Sequence, residues 1–458
     1  MKKFDPASFK DPAGRVFSSR GRIFRELTPL GEKNWKEFRD SGLADELVQE
    51  GLLVKTWESS DPAHPAGVLI EHEPLPISYA YEWPPSMLRD AALLHLRLME
   101  RLLPRGFILK DASPYNVLFQ GVRPRFIDVL SIERWEPGDI WAGYGSFCDA
   151  MLYPLMLHAY KGIPYHDWLR GSLNGIRPES FAKLFGWLDL LKPGVLAHVD
   201  LRARLHARFQ RPGGALRSDV KMAALPASAI LRNVSGLRAV IEGLPRRKGK
   251  PSDWCSYPAN NSYDPAAREM KRAFVDRSLA QLKPRLLWDI GCNTGEMLRV
   301  AARHCELVIG LDSDADVVDA LAEECRREGV NNVLPLVQDI CNPSPGMGWA
   351  CAERKSLFDR DKPDAVMALA VVHHLAVRGG VPLEEQLGLF AAAAPHALIE
   401  FVDRSDPMFV ELRANMDAGQ EAYGADEFKR CADAYFVTLD ACAAGKTREV
   451  RLLRAKGR

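Results

Sequence analysis

The sequence predicts an α/β protein. Its second half reads as a doubly wound, mostly parallel seven-stranded sheet whose last strand runs antiparallel, and its first half as an α+β domain. Three observations predict this. Apolar stretches of strand length alternate with helical patterns from Leu286 onward, a tight glycine turn follows the first of them, and a long apolar helix followed by short paired strands fills the middle of the first half.

The chain has 458 residues, 47% of them hydrophobic and 26% charged, an ordinary composition for a protein with buried cores. That length predicts two or three domains. The 61 Lys and Arg nearly balance the 60 Asp and Glu, leaving a formal charge of +1, so no global electrostatic argument favours nucleic acid or an acidic membrane surface. Of the nine cysteines all but Cys148 follow Trp254, and none form a C-x-x-C pair. Scattered single cysteines argue against a zinc ribbon and fit a reducing compartment. No apolar stretch is long enough to span a bilayer, and no apolar signal region follows the basic start. The expectation is a cytoplasmic protein without a membrane or nucleic-acid partner.

In chain order, residues 14–27 pattern as a hairpin, 35–50 as a helix, and 87–103 as an amphipathic helix with Leu at helical spacings. Strands follow at 117–119 and 126–128, joined by a turn at 120–124. The run QRPGG at 210–214 forbids a continuing helix, and 219–243 reads as helical with an interruption at Pro226. The basic run LPRRKGK at 244–250 is short enough to be a solvated linker. These breaks predict a first domain at 1–213, a helical connector and linker at 214–252, and a second domain at 253–458.

Strands are predicted in the second domain at 286–290, 307–311, 333–337, 365–370 and 397–402, with helices at 315–328 and 383–393 between them. Helices at 406–416 and 426–431 come next. Strands at 434–439 and 448–453 then form a closing hairpin around Ala444-Gly445. A pure dinucleotide-binding sheet would instead end in another parallel strand.

The sharpest local signal is LLWDIGCNTGEML, where a strand ends in Asp289 and Gly291 and Gly295 bracket a turn into a helix near Glu296. Glycines there allow unusual backbone, and a helix N-terminus presents free N–H groups. Gly291, Asn293 and Glu296 stand where the dinucleotide fingerprint G-x-G-x-x-G needs three glycines. The turn therefore suits an aminoacyl sulfonium better than a pyrophosphate. The second strand ends at Asp312, 17 residues after Gly295, and the third in VQDI with Asp339. A carboxylate at the second edge can accept ribose hydroxyls; one at the third can accept an adenine amine while Ile340 packs on the ring. Taken singly, Asp312 or Asp339 reads more readily as an ordinary turn or helix-cap residue.

Together these residues resemble the class I S-adenosylmethionine-dependent methyltransferases, whose Rossmann-like sheet ends in an antiparallel strand. The resemblance runs from about Trp254 to Arg454 and includes D-x-G-x-x-x-G, both later acids and DAVMALAVVHHL at 364–375. It implies S-adenosylmethionine as cofactor, with Asp289, Gly291, Asn293 and Gly295 by the methionine moiety. It likewise implies Asp312 by the ribose, Asp339 and Ile340 by the adenine, and Ala370 at the end of the fourth strand. Asn293 departs from the usual glycine, but Asn tolerates left-handed backbone. Upstream, WCSYPANNSYDPAAREMKRAFV looks like the cofactor lid of a subgroup containing nodulation-associated enzymes. By that likeness Trp254, Tyr257, Tyr263 and Lys271 close over the cofactor, whereas aromatic residues at a domain edge also serve as packing.

On the acceptor side, the segment after the fourth strand lacks the N/D-P-P-Y/F of exocyclic or amide nitrogen methylation. No Pro-Cys nucleophile for C5-pyrimidine chemistry is present either. His373 or His374 is the candidate general base, since imidazole titrates near working pH. Glu400, with Asp403 and Asp406, is expected at the same rim and is the third catalytic candidate. Core packing and helix capping are the plainer roles for all of these. Methyl transfer needs in-line placement more than acid–base help. The expected acceptor is a small molecule, glycan or peptide, methylated on oxygen or nitrogen, and no metal is expected in this domain.

Residues 107–133, FILKDASPYNVLFQGVRPRFIDVLSIE, carry a second pattern. Asp111 and Asn116 lie five apart, and Phe126-Ile127-Asp128 ends a following strand. This spacing resembles the catalytic loop and metal aspartate of protein kinases and aminoglycoside-type phosphotransferases. The resemblance implies ATP with Mg²⁺ held by Asn116 and Asp128, and Asp111 as the base. The departures are large. Lys110-Asp111 replaces H-R-D, Asp128-Val129-Leu130 replaces D-F-G, no phosphate-covering glycine loop is present, and Lys55 follows the helix it should precede. The first domain thus reads as a degenerate kinase-like module that recognises substrate or nucleotide, as an active kinase in a bifunctional chain, or as a helical domain with a coincidental match. A non-catalytic scaffold that merely binds S-adenosylmethionine is the alternative for the whole.

Overall fold

The computed structural model describes residues 4–59, 68–209, 226–246, 265–414 and 423–457. The chain divides into two compact units, the first made of residues 1–247 with 346–354 and the second of 248–345 with 355–458.

The first unit opens with a four-stranded antiparallel sheet of order β1-β2-β4-β3, formed by β1 (Gly14–Ser19), β2 (Arg22–Leu27), β3 (Thr56–Ser59) and β4 (Leu69–His72). Arg20 and Gly21 both have positive φ at the β1–β2 turn, so the twist of the turn matches that of its strands. The helix predicted at 35–50 is two helices, α1 (Pro29–Asp40) and α2 (Leu43–Gln49). Gly42, at φ 75°, takes a left-handed conformation that no continuing helix permits.

The long helix α3 (Pro85–Leu102) is buried on nearly every side, with Arg97 its one exposed residue. It is the amphipathic helix expected, begun two residues earlier, and its narrow polar face leaves most of it in the core. Two short antiparallel ladders follow: β5 (Phe107–Leu109) with β8 (Ile132–Arg134), and β6 (Val117–Gln120) with β7 (Arg123–Phe126). Gly121 at φ 59° reverses the second ladder, and β7 ends at Phe126, two residues before the expected Asp128. Short helical turns fill 144–209. The helix expected in a free-standing connector is α4 (Ala227–Glu242), and it belongs to this unit. Its buried stripe Ile230, Val234, Leu237 and Ile241 has helical spacing, and Arg238 bonds Glu100 of α3 at 2.6 Å.

In the second unit α5 (Pro265–Leu282) precedes a seven-stranded sheet of order β11-β10-β9-β12-β13-β15-β14. Its strands are β9 (Leu286–Ile290), β10 (Leu307–Asp312), β11 (Val333–Val337), β12 (Ala365–Ala368), β13 (His396–Val402), β14 (Phe436–Ala443) and β15 (Arg448–Ala455). The connecting helices are α6 (Glu296–Ala301), α7 (Ala315–Glu328), α8 (Val372–Val377), α9 (Leu383–Ala393), α10 (Pro407–Ala414) and α11 (Ala425–Tyr435). Every residue of β9 and of β12 is buried, as strands covered on both faces must be.

The last strand β15 inserts antiparallel between β13 and β14. The hairpin turn at Gly445 falls where expected, but the strand predicted at 434–439 begins at Phe436, because α11 continues through Tyr435. Among the described residues no helix is long and apolar enough to cross a membrane.

Candidate active site

The turn after β9 is held in its shape by backbone. Gly291, Asn293 and Gly295 have φ of 70°, 47° and 80°, so the asparagine adopts the left-handed conformation expected of it. Gly291 N–H donates to the Leu311 carbonyl at 2.7 Å, tying the turn to the end of β10. A Cβ on Gly291 would lie 2.4 Å from Val371 Cγ2, and one on Gly295 would lie 2.5 Å from Leu321 Cδ1. Both glycines are therefore required by packing around the turn as well as by φ.

A cavity of about 390 Å³ opens at this edge of the sheet and collects Asp289, Asp312, Asp339, Ile340 and Ala370 with the glycine turn. Asp289 is 3% exposed. Its carboxylate receives no hydrogen bond among the described residues, and burial raises it well above the usual carboxylate range, against the nearby Lys271 ammonium and with the help of Asp312. Asp312 accepts from Asn293 N–H and Asp314 N–H, each at 3.0 Å, and burial raises its carboxyl also. It is thus both a turn staple and a cavity wall. Asp339 is exposed and accepts from Cys341 N–H at 2.9 Å. Ala370, just past β12, is held at φ 56°, a left-handed conformation costly for a residue with a Cβ.

The two histidines separate. His374 lines the cavity, and burial, helped by Arg378 and Arg448, pushes its imidazole down to about 4. His373 is fully buried behind it, outside the cavity lining, and neither ring nitrogen has a hydrogen-bond partner among the described residues. Glu400, expected at the rim, is 0% exposed and outside the lining too. Lys271 of α5 lines the cavity and donates to Glu400 Oε2 at 2.6 Å. Behind them Arg448 lies 3.8 Å from Glu400 and donates to both oxygens of Asp406 at 2.8 and 3.1 Å. Burial works to raise the Asp406 carboxyl, but Arg448 and Thr447 hold it below the usual range. Asp403 stands apart from them, its carboxylate accepting from Ser405.

Several lining residues were not anticipated. Arg268 lies one helical turn before Lys271 and makes two bonds to Glu296 at 2.8 and 2.7 Å, so its spacing from Lys271 was the available signal. Cys292 and Gln338 line the cavity as variable positions inside the glycine-turn and VQDI motifs, and Arg378 lines it outside any motif. Trp254, Tyr257 and Tyr263 lie outside the described residues.

Residues 288–384, which span the turn, all three acids and His374, match the methyltransferase domain family. The nodulation protein NoeA of Rhizobium meliloti (strain 1021) is 36% identical over 426 residues, covering 92% of this chain and 88% of that protein. The chain belongs to the NoeA family. Among solved structures, N-methyltransferase NodS from Bradyrhizobium japonicum WM9 with S-adenosyl-L-homocysteine is 12% identical with a TM-score of 0.32, covering 45% of this chain and 94% of that one. Magnesium protoporphyrin IX methyltransferase ChlM from Synechocystis PCC 6803 is 17% identical with a TM-score of 0.31, covering 51% and 99%. This NoeA-family chain is an S-adenosylmethionine-dependent methyltransferase.

The second pattern of the NoeA-family chain, in its first unit, is assembled differently from what a phosphotransferase needs. Asp111 accepts from Asn116 at 3.0 Å and from Ser113 N–H at 3.0 Å, and burial raises its carboxyl. Asp128 is ion-paired with Arg25 and accepts from Ser131; burial works to raise its carboxyl, yet these partners bring it below the usual range. The Arg25 guanidinium therefore engages one oxygen of the carboxylate to which the resemblance assigns Mg²⁺. Among the described residues no group of three or more His, Cys, Asp or Glu is disposed to hold a metal ion. Asn116 and Asp128, the residues expected to hold Mg²⁺, each bond a protein partner, Asn116 with Asp111 and Asp128 with Arg25 and Ser131.

Proposed function

We propose that the second unit transfers a methyl group to an oxygen or nitrogen of a small molecule, glycan or peptide, and that the first unit recognises this acceptor or a nucleotide without phosphoryl transfer. The name of its relative extends the proposal to a role in nodulation. One observation carries the reading: the carboxylates that end three successive parallel strands converge on one cavity beside a left-handed glycine turn.

Bound there, S-adenosylmethionine supplies an electrophilic methyl group on a sulfonium. The buried and unbonded Asp289 takes the cationic ammonium of the aminoacyl end, since a bare buried carboxylate gains most from a positive partner. Asp312 uses its remaining lone pairs for the ribose hydroxyls. Asp339 accepts from the adenine amine while Ile340 covers the ring. His374 is neutral near pH 7 and lines the cavity, so it can take the proton that the acceptor loses as its oxygen or nitrogen bonds the methyl carbon. His373 and Glu400, buried and outside the cavity lining, have no contact with the acceptor in this reading.

Calorimetry on the full chain tests the reading. S-adenosyl-L-homocysteine is expected to bind the wild type and to bind Asp289→Asn at least about tenfold more weakly, the worth of one charge-assisted hydrogen bond. Absence of binding to the wild type would overturn the cofactor site. Transfer of label from methyl-labelled S-adenosylmethionine into a metabolite extract separates an enzyme from a scaffold, and Mg²⁺-dependent transfer of the γ-phosphoryl group of ATP by the full chain would refute the account of the first unit.

A further inference from the structure

The buried charges behind the cavity balance only if one of its acids is left out. Lys271 and Arg448 are positive; Glu400 and Asp406 are negative; and their side chains are 8%, 2%, 0% and 1% exposed. Lys271 is held 2.6 Å from Glu400, and Arg448 makes its two short bonds to Asp406. These four charges cancel among themselves. Asp289 is the fifth charged group and lines the same cavity as Lys271, yet no hydrogen bond reaches its carboxylate among the described residues. A buried carboxylate facing a cavity without a partner is a site awaiting a cation.

We propose that Glu400 is a positioning residue that never touches ligand: it draws the Lys271 ammonium to itself and so keeps Asp289 open for the ammonium of the methyl donor. The inference rests on the cofactor reading above. It assigns Lys271 to Glu400 and not to the ligand, although Lys271 stands in the cavity wall. If Glu400 loses its charge, Lys271 is left beside Asp289, the acid of the same cavity whose carboxyl it already acts on. The site then supplies its own cation and the ligand must displace it. The expected defect is in binding and not in the fold, because the four charges that remain, Lys271 and Arg448 with Asp406 and Asp289, balance one another.

The test compares binding of S-adenosyl-L-homocysteine to the wild type, Glu400→Gln, and the double variant Glu400→Gln with Lys271→Met, each in the full chain with its melting curve. Glu400→Gln is expected to bind at least about tenfold more weakly, and the double variant to recover to within about threefold of wild type, because deleting the displaced cation reopens Asp289. A merely structural role for Glu400 predicts no such rescue. Unchanged binding by Glu400→Gln, or a double variant no tighter than the single, overturns the inference while the wild type still binds. A wild type that binds nothing overturns the cofactor reading and this inference with it. Should Glu400→Gln fail to fold, the double variant decides alone, since a tenfold loss there shows that Lys271 or Glu400 is needed by the ligand directly.

Discussion

Gly291 has little latitude at the cavity. Its φ of 70° is open to glycine at little cost, and a Cβ would meet Val371 Cγ2 at 2.4 Å. Gly291→Ala is expected to lower stability by about 1–3 kcal/mol and to weaken S-adenosyl-L-homocysteine binding by moving the turn, as denaturant unfolding and calorimetry would show. A variant with wild-type stability would mean that Val371 can swing away and the turn is looser than its geometry indicates. Asp289, Asp312 and Asp339 were legible in the sequence because each follows an apolar run of strand length, and parallel strands present their C-terminal ends on one edge. His373 and His374 could not be told apart: neighbours on a helix point about 100° apart, and which one faces the cavity depends on how α8 docks. Glu400 was legible as a strand residue, but the Lys271 that accounts for its burial lies far upstream in α5, and no local pattern links the two.

At the level of elements, β15 carries much of the cohesion of the second sheet. It pairs antiparallel with both β13 and β14, and its first residue, Arg448, ties it to Asp406 ahead of α10. Asp406 also accepts from Met408 N–H at 2.9 Å and from Thr447 at 2.7 Å, so one buried carboxylate joins helix start, turn and strand. Arg448→Met leaves that carboxylate without its counter-charge. The expected loss is about 3–5 kcal/mol, read as a lower unfolding midpoint, whereas Arg448→Lys retains the charge and loses less. Strand and helix bounds in this unit followed closely from apolar runs and flanking glycines, since strands buried on both faces are continuous apolar stretches. In the first unit the pattern was less telling. The 35–50 pattern kept its apolar period across Ser41-Gly42 while the backbone turned, and α3, buried on nearly every side, has a polar face too narrow to show what packs around it.

For the whole molecule, the two units carry opposite balances of buried titratable groups. In the first, burial pushes His72 down to about 3 and His95 and His166 down to about 4. Their native pKa values lie below the unfolded value near 6.5, so between those limits the unfolded chain binds protons that the folded unit refuses, and stability rises with pH. Each contributes a slope of up to about 1.4 kcal/mol per pH unit in that window, and the three together about 4. Asp111 and Asp149, whose carboxyls burial raises, act in the opposite sense. In the second unit His373 and His374 have the same sign as the first unit's histidines, but Asp289, raised well above the carboxylate range by burial, binds its proton more tightly when folded and offsets them. Scanning calorimetry of the full chain from pH 7.5 to 5.5 is therefore expected to show the first unit's transition falling by about 10 °C, and the second unit's falling less. Saturating S-adenosyl-L-homocysteine identifies the second transition, because a ligand raises only the unit it binds. A first transition that stays put through this range would show that the three imidazoles are hydrated in solution and that the core around α3 is more open than its packing implies.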